Sequence, residues 1–235
     1  MAFFGLFGNK QSVRNSSILH GKVDRHSHIL FGVDDGIRTI EDSLQAITTL
    51  EALGVTDLWC TPHIMEDVPN TTQILKARFD ELCAAYKGSV RLHLAAEYMM
   101  DTVLEERLER CDLLTMEKNI VLVETSTLNP PYGYMGFFRK IMGAGYRPLL
   151  AHPERYRYMS DEDYAQLRQM GVLFQLNLPS ILGYYGKGVQ EKAVELLEKG
   201  YYDYIGTDCH RTKALEEPFD RKLLSRSICK RLENL

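Results

Sequence analysis

Residues 24–36 read DRHSHILFGVDDG, and two histidines one residue apart, followed by the aspartate pair at 34–35, pose the question on which the reading of the chain turns. If residues 23–27 form a strand, His26 and His28 project to the same side, because side chains repeat with period two. Two imidazoles on one side repel when protonated and are costly to bury without partners. A divalent metal removes both difficulties, since neutral imidazole is a common ligand. A polar strand end with two surface histidines satisfies this stretch equally well. The decision therefore falls to the remainder of the chain.

Apolar, β-rich runs alternate with helical patterns along the whole sequence. Candidate strands lie at 23–27, 57–60, 90–95, 120–123, 148–151, 172–176 and 204–206. In residues 39–54, TIEDSLQAITTLEALG, Thr39 is placed as an N-cap. Ile40, Leu44, Ile47 and Leu50 form one stripe there, and Gly54 ends the helix. Similar signals mark 72–86, 102–110, 136–143, 161–170, 189–199 and the stretch after Pro218. Such alternation implies parallel strands joined by right-handed crossovers. Seven strands without a linker predict one barrel-like α/β domain, and 235 residues suit a single domain. A doubly wound sheet would carry a glycine-rich phosphate loop after its first strand, and HSHILFGVDDG is not one. The domain is expected to span residues 21–235, with 1–20 as an N-terminal arm, flexible or docking.

A net charge of -4 argues against a dedicated nucleic-acid surface. The five cysteines are scattered and form no CxxC, which fits reduced thiols in a cytoplasmic protein. Residues 2–7 make a short apolar run without a preceding basic region or a cleavage site, unlike a signal peptide. No stretch approaches the length of a membrane span.

The unusual polar residues all fall at C-terminal ends of candidate strands. His26 and His28 close the first, His63 the second in WCTPH, Glu97 the third in LHLAAE, and Glu124 the fourth in IVLVE. His152 follows the fifth in PLLAHPERY, and Asp208 and His210 follow the last in YIGTDCH. Parallel α/β barrels build active sites on that face. Singly, His63 reads as a satisfied turn histidine, and Glu97 and Glu124 as partners of surface lysines. As one set on one rim, with Asp35, they read as ligands. Mixed imidazole and carboxylate donors favour Mn, Fe or Zn over an all-cysteine zinc site. So many donors imply two or three clustered metals sharing a bridging carboxylate, an arrangement suited to displacement at phosphorus. Arg155, three residues after His152, can offer a bidentate fork to phosphate. Its alternative is a surface ion pair with Glu154 or Asp161. His20 and His93 fit none of this pattern.

In this order, DRHSHIL–DDG, TPH, AAE, VE, AHPERY and TDCH resemble the PHP (polymerase and histidinol phosphatase) metal-dependent phosphoesterases. The resemblance is strongest to the bacterial manganese-dependent protein-tyrosine phosphatases associated with capsule and exopolysaccharide production. It implies a single distorted seven-stranded (β/α) barrel and three divalent metal ions, Mn foremost, with Fe, Zn or Mg as alternatives. His26, His28, Glu97 and Asp208 would hold the first ion; Glu97 as a bridge, with Glu124 and His152, the second; Asp35, His63 and His210 the third. Arg155 matches the family's phosphate-binding arginine. A second family arginine would align with Leu215, leaving Arg211 or Lys213 as substitutes. Arg25 stands where an apolar residue is expected.

The resemblance implies hydrolysis of phosphotyrosine on a protein, a bacterial tyrosine kinase in particular, by metal hydroxide and without a cysteine phosphoenzyme. No cysteine is followed by the arginine of a Cys-x5-Arg loop. Tyr132, Tyr134, Tyr156, Tyr158, Tyr184 and Tyr185 fall in connections near the expected mouth, where they could flank a phenyl ring. The competing readings are a small-molecule phosphomonoesterase of histidinol-phosphatase type, a metal-dependent amidohydrolase, and a non-enzymatic kinase-binding module.

Overall fold

A computed structural model describes residues 10–221 and 223–235; the apolar run at 2–7 lies outside the described residues. The elements follow one another as β1 (Val23–Asp24), α1 (Ile40–Ala52), β2 (Asp57–Cys60), β3 (His63–Ile64), α2 (Thr72–Ala85), β4 (Arg91–Leu94) and β5 (Glu97–Met99). Then come α3 (Thr102–Arg110), β6 (Ile120–Glu124), α4 (Tyr134–Gly143), β7 (Arg147–Ala151), a 3-10 turn (Pro153–Arg155), α5 (Asp161–Met170) and β8 (Leu173–Asn177). The chain ends with α6 (Leu178–Ile181), α7 (Lys187–Glu198), β9 (Tyr204–Gly206), α8 (Thr212–Asp220) and α9 (Arg226–Leu232).

Local chemistry fixes several of these boundaries. The Thr39 hydroxyl accepts from the Asp42 N–H at 3.2 Å and caps α1. A capping box opens α5, where Ser160 and Asp163 each accept from the other's backbone N–H. Gly171, with φ 89°, closes that helix in the left-handed conformation that glycine adopts without strain.

All strand pairs are parallel. They form two sheets, ordered β1-β2-β4 and β3-β5-β6-β7-β8-β9, where the sequence led to one sheet of seven closed strands. The difference arises because the expected strands at 57–60 and 90–95, found as β2 and β4, are each followed after a break by a further short strand, β3 and β5, that joins the other sheet. The first break falls at Thr61-Pro62, where proline has no N–H to give to a ladder. The second falls at residues 95–96. Backbone bonds still cross the breaks, from Ala95 N to Cys60 O (2.9 Å) and Glu97 N to Pro62 O (3.1 Å). The first and last strands also meet, through Arg25 N to Ile205 O (3.2 Å), Asp208 N to His26 O (2.7 Å) and a parallel bridge between Ser27 and Cys209.

Alternation along the strands sorts the core. Leu58, Cys60, Val121, Val123, Leu150, Phe174 and Leu176 belong to the large cluster that packs against the helices. Their neighbours Trp59, Ile120, Leu122, Leu149, Ala151 and Leu173 form a second, smaller cluster with Ala95 and Met116. The strand rows of that inner cluster turn polar toward their C-terminal ends, as in Ile120–Leu122–Glu124 and Leu173–Gln175–Asn177. An apolar floor thus carries a polar mouth.

Before β1, Val13, Ile18 and Leu19 are buried in the large cluster, and Gln11 pairs with Leu224 in an antiparallel bridge. Arg25 lies 4.1 Å from the Tyr204 ring centroid and donates to Glu117 (2.7 Å), which accounts for a cation at an expected apolar position.

Candidate metal centre

The nine expected ligands converge at the C-terminal ends of the strands. His26 and His28 do share a side, with their Nε2 atoms 3.1 Å apart. Glu97 Oε2 stands 3.1 Å from His26 Nε2 and 3.2 Å from His28 Nε2, and Asp208 Oδ1 lies 3.5 Å from both. Separations near 3.0–3.4 Å are about what donors have when each sits ~2.1 Å from one shared ion. Glu97 reaches further on both sides. Its Oε1 faces His152 Nε2 at 3.1 Å, and its Oε2 faces His63 Nδ1 at 3.2 Å.

Glu124 extends the cluster, 3.2 Å from His63 Nδ1 and 3.7 Å from His152 Nε2. At the open edge, Asp35 Oδ1 stands 3.6 Å from His63 Nε2 and 3.4 Å from His210 Nε2. His63 therefore spans two neighbouring groups, one ring nitrogen turned to each. Four sets of donor atoms each lie mutually within 4.8 Å and could hold an ion: His28–Asp35–His63–His210, His26–His28–Asp208, His26–Glu97–His152 and His63–Glu97–Glu124. Burial grades across them. Glu97, His26 and His28 are fully buried, whereas the Asp35 side chain is 71% exposed.

The electrostatics call for positive charge. Burial alone would lift the Glu97 carboxyl, but His26, His152 and His28 outweigh it and hold Glu97 well below the usual carboxylate range. Burial likewise works against ionised Asp208, yet His26, His152 and His28 bring it down to about 2. Burial would discharge His26, and Glu97 and Asp208 instead push it up to about 9. In the same way Asp34 and Glu97 lift His28 against its burial. Buried carboxylates that stay ionised need cations beside them, and here imidazolium protons fill that role when no ion does. Glu97 Oε2 and His63 Nδ1 are buried without a hydrogen-bond partner, as expected of atoms arranged for an ion. The donor set fits divalent metal.

Residues without a place in the sequence pattern hold the candidate ligands in position. Asp34 is buried at its side chain, unlike its neighbour Asp35, and accepts from His28 Nδ1 (2.7 Å), Gly36 N (2.9 Å) and His63 N (3.1 Å). Asn177 Nδ2 donates to Asp208 Oδ2 at 2.7 Å, which leaves Oδ1 toward the two histidines. Buried Asp24 accepts from Thr207 N, Thr207 Oγ1 and His26 N, tying the first strand to the last. Two candidate ligands sit on unusual backbone, His152 at φ 36° and Asp208 at φ 51°. At His152 this breaks the alternation that would otherwise turn the ring outward after Ala151.

Arg155 lies at the centre's edge, with Nη1 donating to Asp208 Oδ2 at 3.1 Å and its guanidinium 4.5 Å from the Tyr185 ring centroid. Leu215 is buried, while Arg211 and Lys213 line a cavity of about 520 Å3 with Arg38, Asp35 and His210. A second cavity of about 320 Å3 is lined by Tyr184, Tyr185, Asp208 and His210. Of the other tyrosines, Tyr156 is buried with its hydroxyl accepting from Thr125 N, Tyr134 donates to Asp163, and Tyr132 is fully exposed. His93 stacks on Trp59 and bonds Asp57, and His20 packs against Gly54, both outside the centre.

Residues 22–222 match the family described as capsular polysaccharide synthesis, CpsB/CapC. CapC of Staphylococcus aureus is 27% identical over 213 residues, covering 86% of this chain and 84% of CapC. The tyrosine-protein phosphatase YwqE of Bacillus subtilis is 26% identical over 198 residues, covering 81% and 78%. A solved structure from work on YwqE and on CpsB of Streptococcus pneumoniae, described as unique metal-dependent tyrosine phosphatases, superposes with a TM-score of 0.75. It is 24% identical and covers 86% of this chain and 89% of that one. The fold is also shared, at TM-score 0.55 and 12% identity, with the phosphotriesterase homology protein of Escherichia coli, over 92% of each chain.

Proposed function

The chain belongs to the CpsB/CapC family of capsular polysaccharide synthesis, and on that premise we propose that it is a metal-dependent protein-tyrosine phosphatase. The observation that carries this reading is Glu97. It is a fully buried carboxylate with His26, His28 and His63 about one oxygen and His152 about the other. That is the disposition of a bridge between ions.

We assign His26, His28, Glu97 and Asp208 to a first ion, Glu97, Glu124 and His152 to a second, and Asp35, His63 and His210 to a third. Mn fits this mixture of imidazole and carboxylate, with Fe, Zn or Mg as the competing ions. Ions held there would activate water and neutralise charge on the phosphoryl group. The chain's own part is to hold and orient that group. Arg155 would bind its outer oxygens, with Arg211 or Lys213 as the second cation across the Asp35–His210 edge. Tyr184 and Tyr185 line the neighbouring cavity, where the phenol ring of phosphotyrosine would lie. The bonds between the first and last strands support reading the two sheets as one distorted seven-stranded barrel. No helix among the described residues is long and apolar enough to cross a membrane. We place the protein in the cytoplasm, acting on a bacterial tyrosine kinase.

A substrate panel tests the assignment. Phosphotyrosine peptides are expected to exceed phosphoserine peptides and histidinol phosphate in kcat/KM. Histidinol phosphate as the best substrate would replace this reading with a small-molecule phosphatase on the same centre.

A further inference from the structure

Of the six strands in the larger sheet, β8 alone brings no candidate ligand among the described residues. At that position it carries Gln175, a fully buried amide. The orientation of this amide follows from its partners. Its Nε2 donates to the Leu176 carbonyl at 2.6 Å, so its Oε1 must be the atom 2.8 Å from His26 Nδ1. A carbonyl oxygen only accepts. His26 Nδ1 therefore carries a proton in either charge state, and with an ion bound Nε2 is the nitrogen left to offer its lone pair beside Glu97 and His28.

The contact is built closely. A Cβ at position 206 would come within 2.6 Å of His26 Cβ and 2.8 Å of Gln175 Nε2, so only glycine lets these two side chains meet beneath β9. His28 has the carboxylate of Asp34 at the corresponding nitrogen. At His26 an amide does this without adding another buried negative charge beside Glu97, Asp208 and Glu124.

We infer that Gln175 is a positioning residue that fixes the His26 tautomer and thereby sets the metal affinity of the centre. This rests on the metal-centre reading above. Outer hydrogen bonds of this kind are worth about 10–100-fold in metal affinity.

The test is Mn2+ binding to metal-stripped full-length protein, by competition with a chromogenic chelator, alongside the melting temperature of the stripped protein. Gln175→Met keeps length and volume but offers no comparable acceptor, and its Mn2+ Kd is expected to rise about 10–100-fold. Gln175→Glu keeps an acceptor toward His26 Nδ1, although it sets a carboxylate oxygen against the Leu176 carbonyl, and is expected to lose less affinity than the Met variant. Should the Met variant not fold, Gln175→Asn withdraws the acceptor by one methylene and carries the same expectation. Unchanged affinity in the folded Met or Asn variant would overturn the inference, as would a Glu variant equally weakened. Wild-type protein that binds no Mn2+ would instead remove the metal-centre reading, and this inference with it.

Discussion

Arg155 is bonded to Asp208, the outer oxygen of a candidate ligand, rather than to Glu154 or Asp161. Glu154 points away, accepting from Asn177 N and Tyr202 Oη, and Asp161 is taken by Lys192 and Lys199. Its guanidinium is thus held at the mouth by Asp208 and Tyr185, and its other N–H groups meet no acceptor among the described residues and could take phosphate oxygens.

Replacing it tests this. Arg155→Lys keeps the charge and loses the planar fork. A charge-assisted bond of roughly 1.5–3 kcal/mol predicts a loss on the order of 10–100-fold in kcat/KM toward a phosphotyrosine peptide. Bound metal, by elemental analysis, should be unchanged. Wild-type kinetics in the Lys variant would leave Arg155 a structural partner of Asp208 and nothing more.

The thiols should be dispensable. Burial pushes the Cys60 and Cys209 thiols far up, which keeps them un-ionised and poor nucleophiles. Cys83 and Cys111 are exposed, on α2 and just past α3, and neither belongs to the candidate donor sets. Treating native protein with iodoacetamide is expected to label those two and to leave phosphotyrosine turnover unchanged. Inactivation that tracks modification of one cysteine, or a trapped phosphocysteine, would contradict a mechanism without a thiol.

A pH-dependent contribution to stability is expected at the far end of the strands. Burial lifts the Asp57 carboxyl, but hydrogen bonds from Arg91 and His93 outweigh it and bring it down to about 2. A depressed carboxyl stabilises the fold above its ordinary pKa, and the gain disappears as pH falls toward the folded value. Because Arg91 is largely exposed, solvent screening reduces this to about 1 kcal/mol. Urea unfolding should show Asp57→Asn less stable than wild type at pH 7 by that amount, with the gap narrowing below pH 4. A gap constant from pH 7 to pH 3 would assign the loss to packing.

Much of this was legible in the chain because charge and alternation leave strong marks. HSH placed two imidazoles on one side, and their Nε2 atoms face one another. Carboxylates and histidines at the ends of apolar runs marked the rim. What stayed hidden carries weaker signals. In VDDG either aspartate could serve the centre, and only the turn buries Asp34 against His28 while exposing Asp35. Gln175 and Asn177 sit in LFQLN, where neutral amides in a buried strand look like core variation. The short strands β3 and β5, beyond the breaks at Thr61-Pro62 and 95–96, were not expected, because two or three residues are too few to show alternation. Tyrosines near the mouth share one composition and separate only in three dimensions: Tyr185 reaches Arg155, while Tyr156 belongs to the core.

The most direct measurement of the central claim is turnover of a phosphotyrosine peptide by chelator-stripped protein before and after Mn2+ is returned, with metal counted per chain. The account predicts negligible activity when stripped, recovery on reloading to more than one ion, and a loss of orders of magnitude in His152→Ala. Full activity in metal-free protein, or full activity with a single ion per chain, would contradict it.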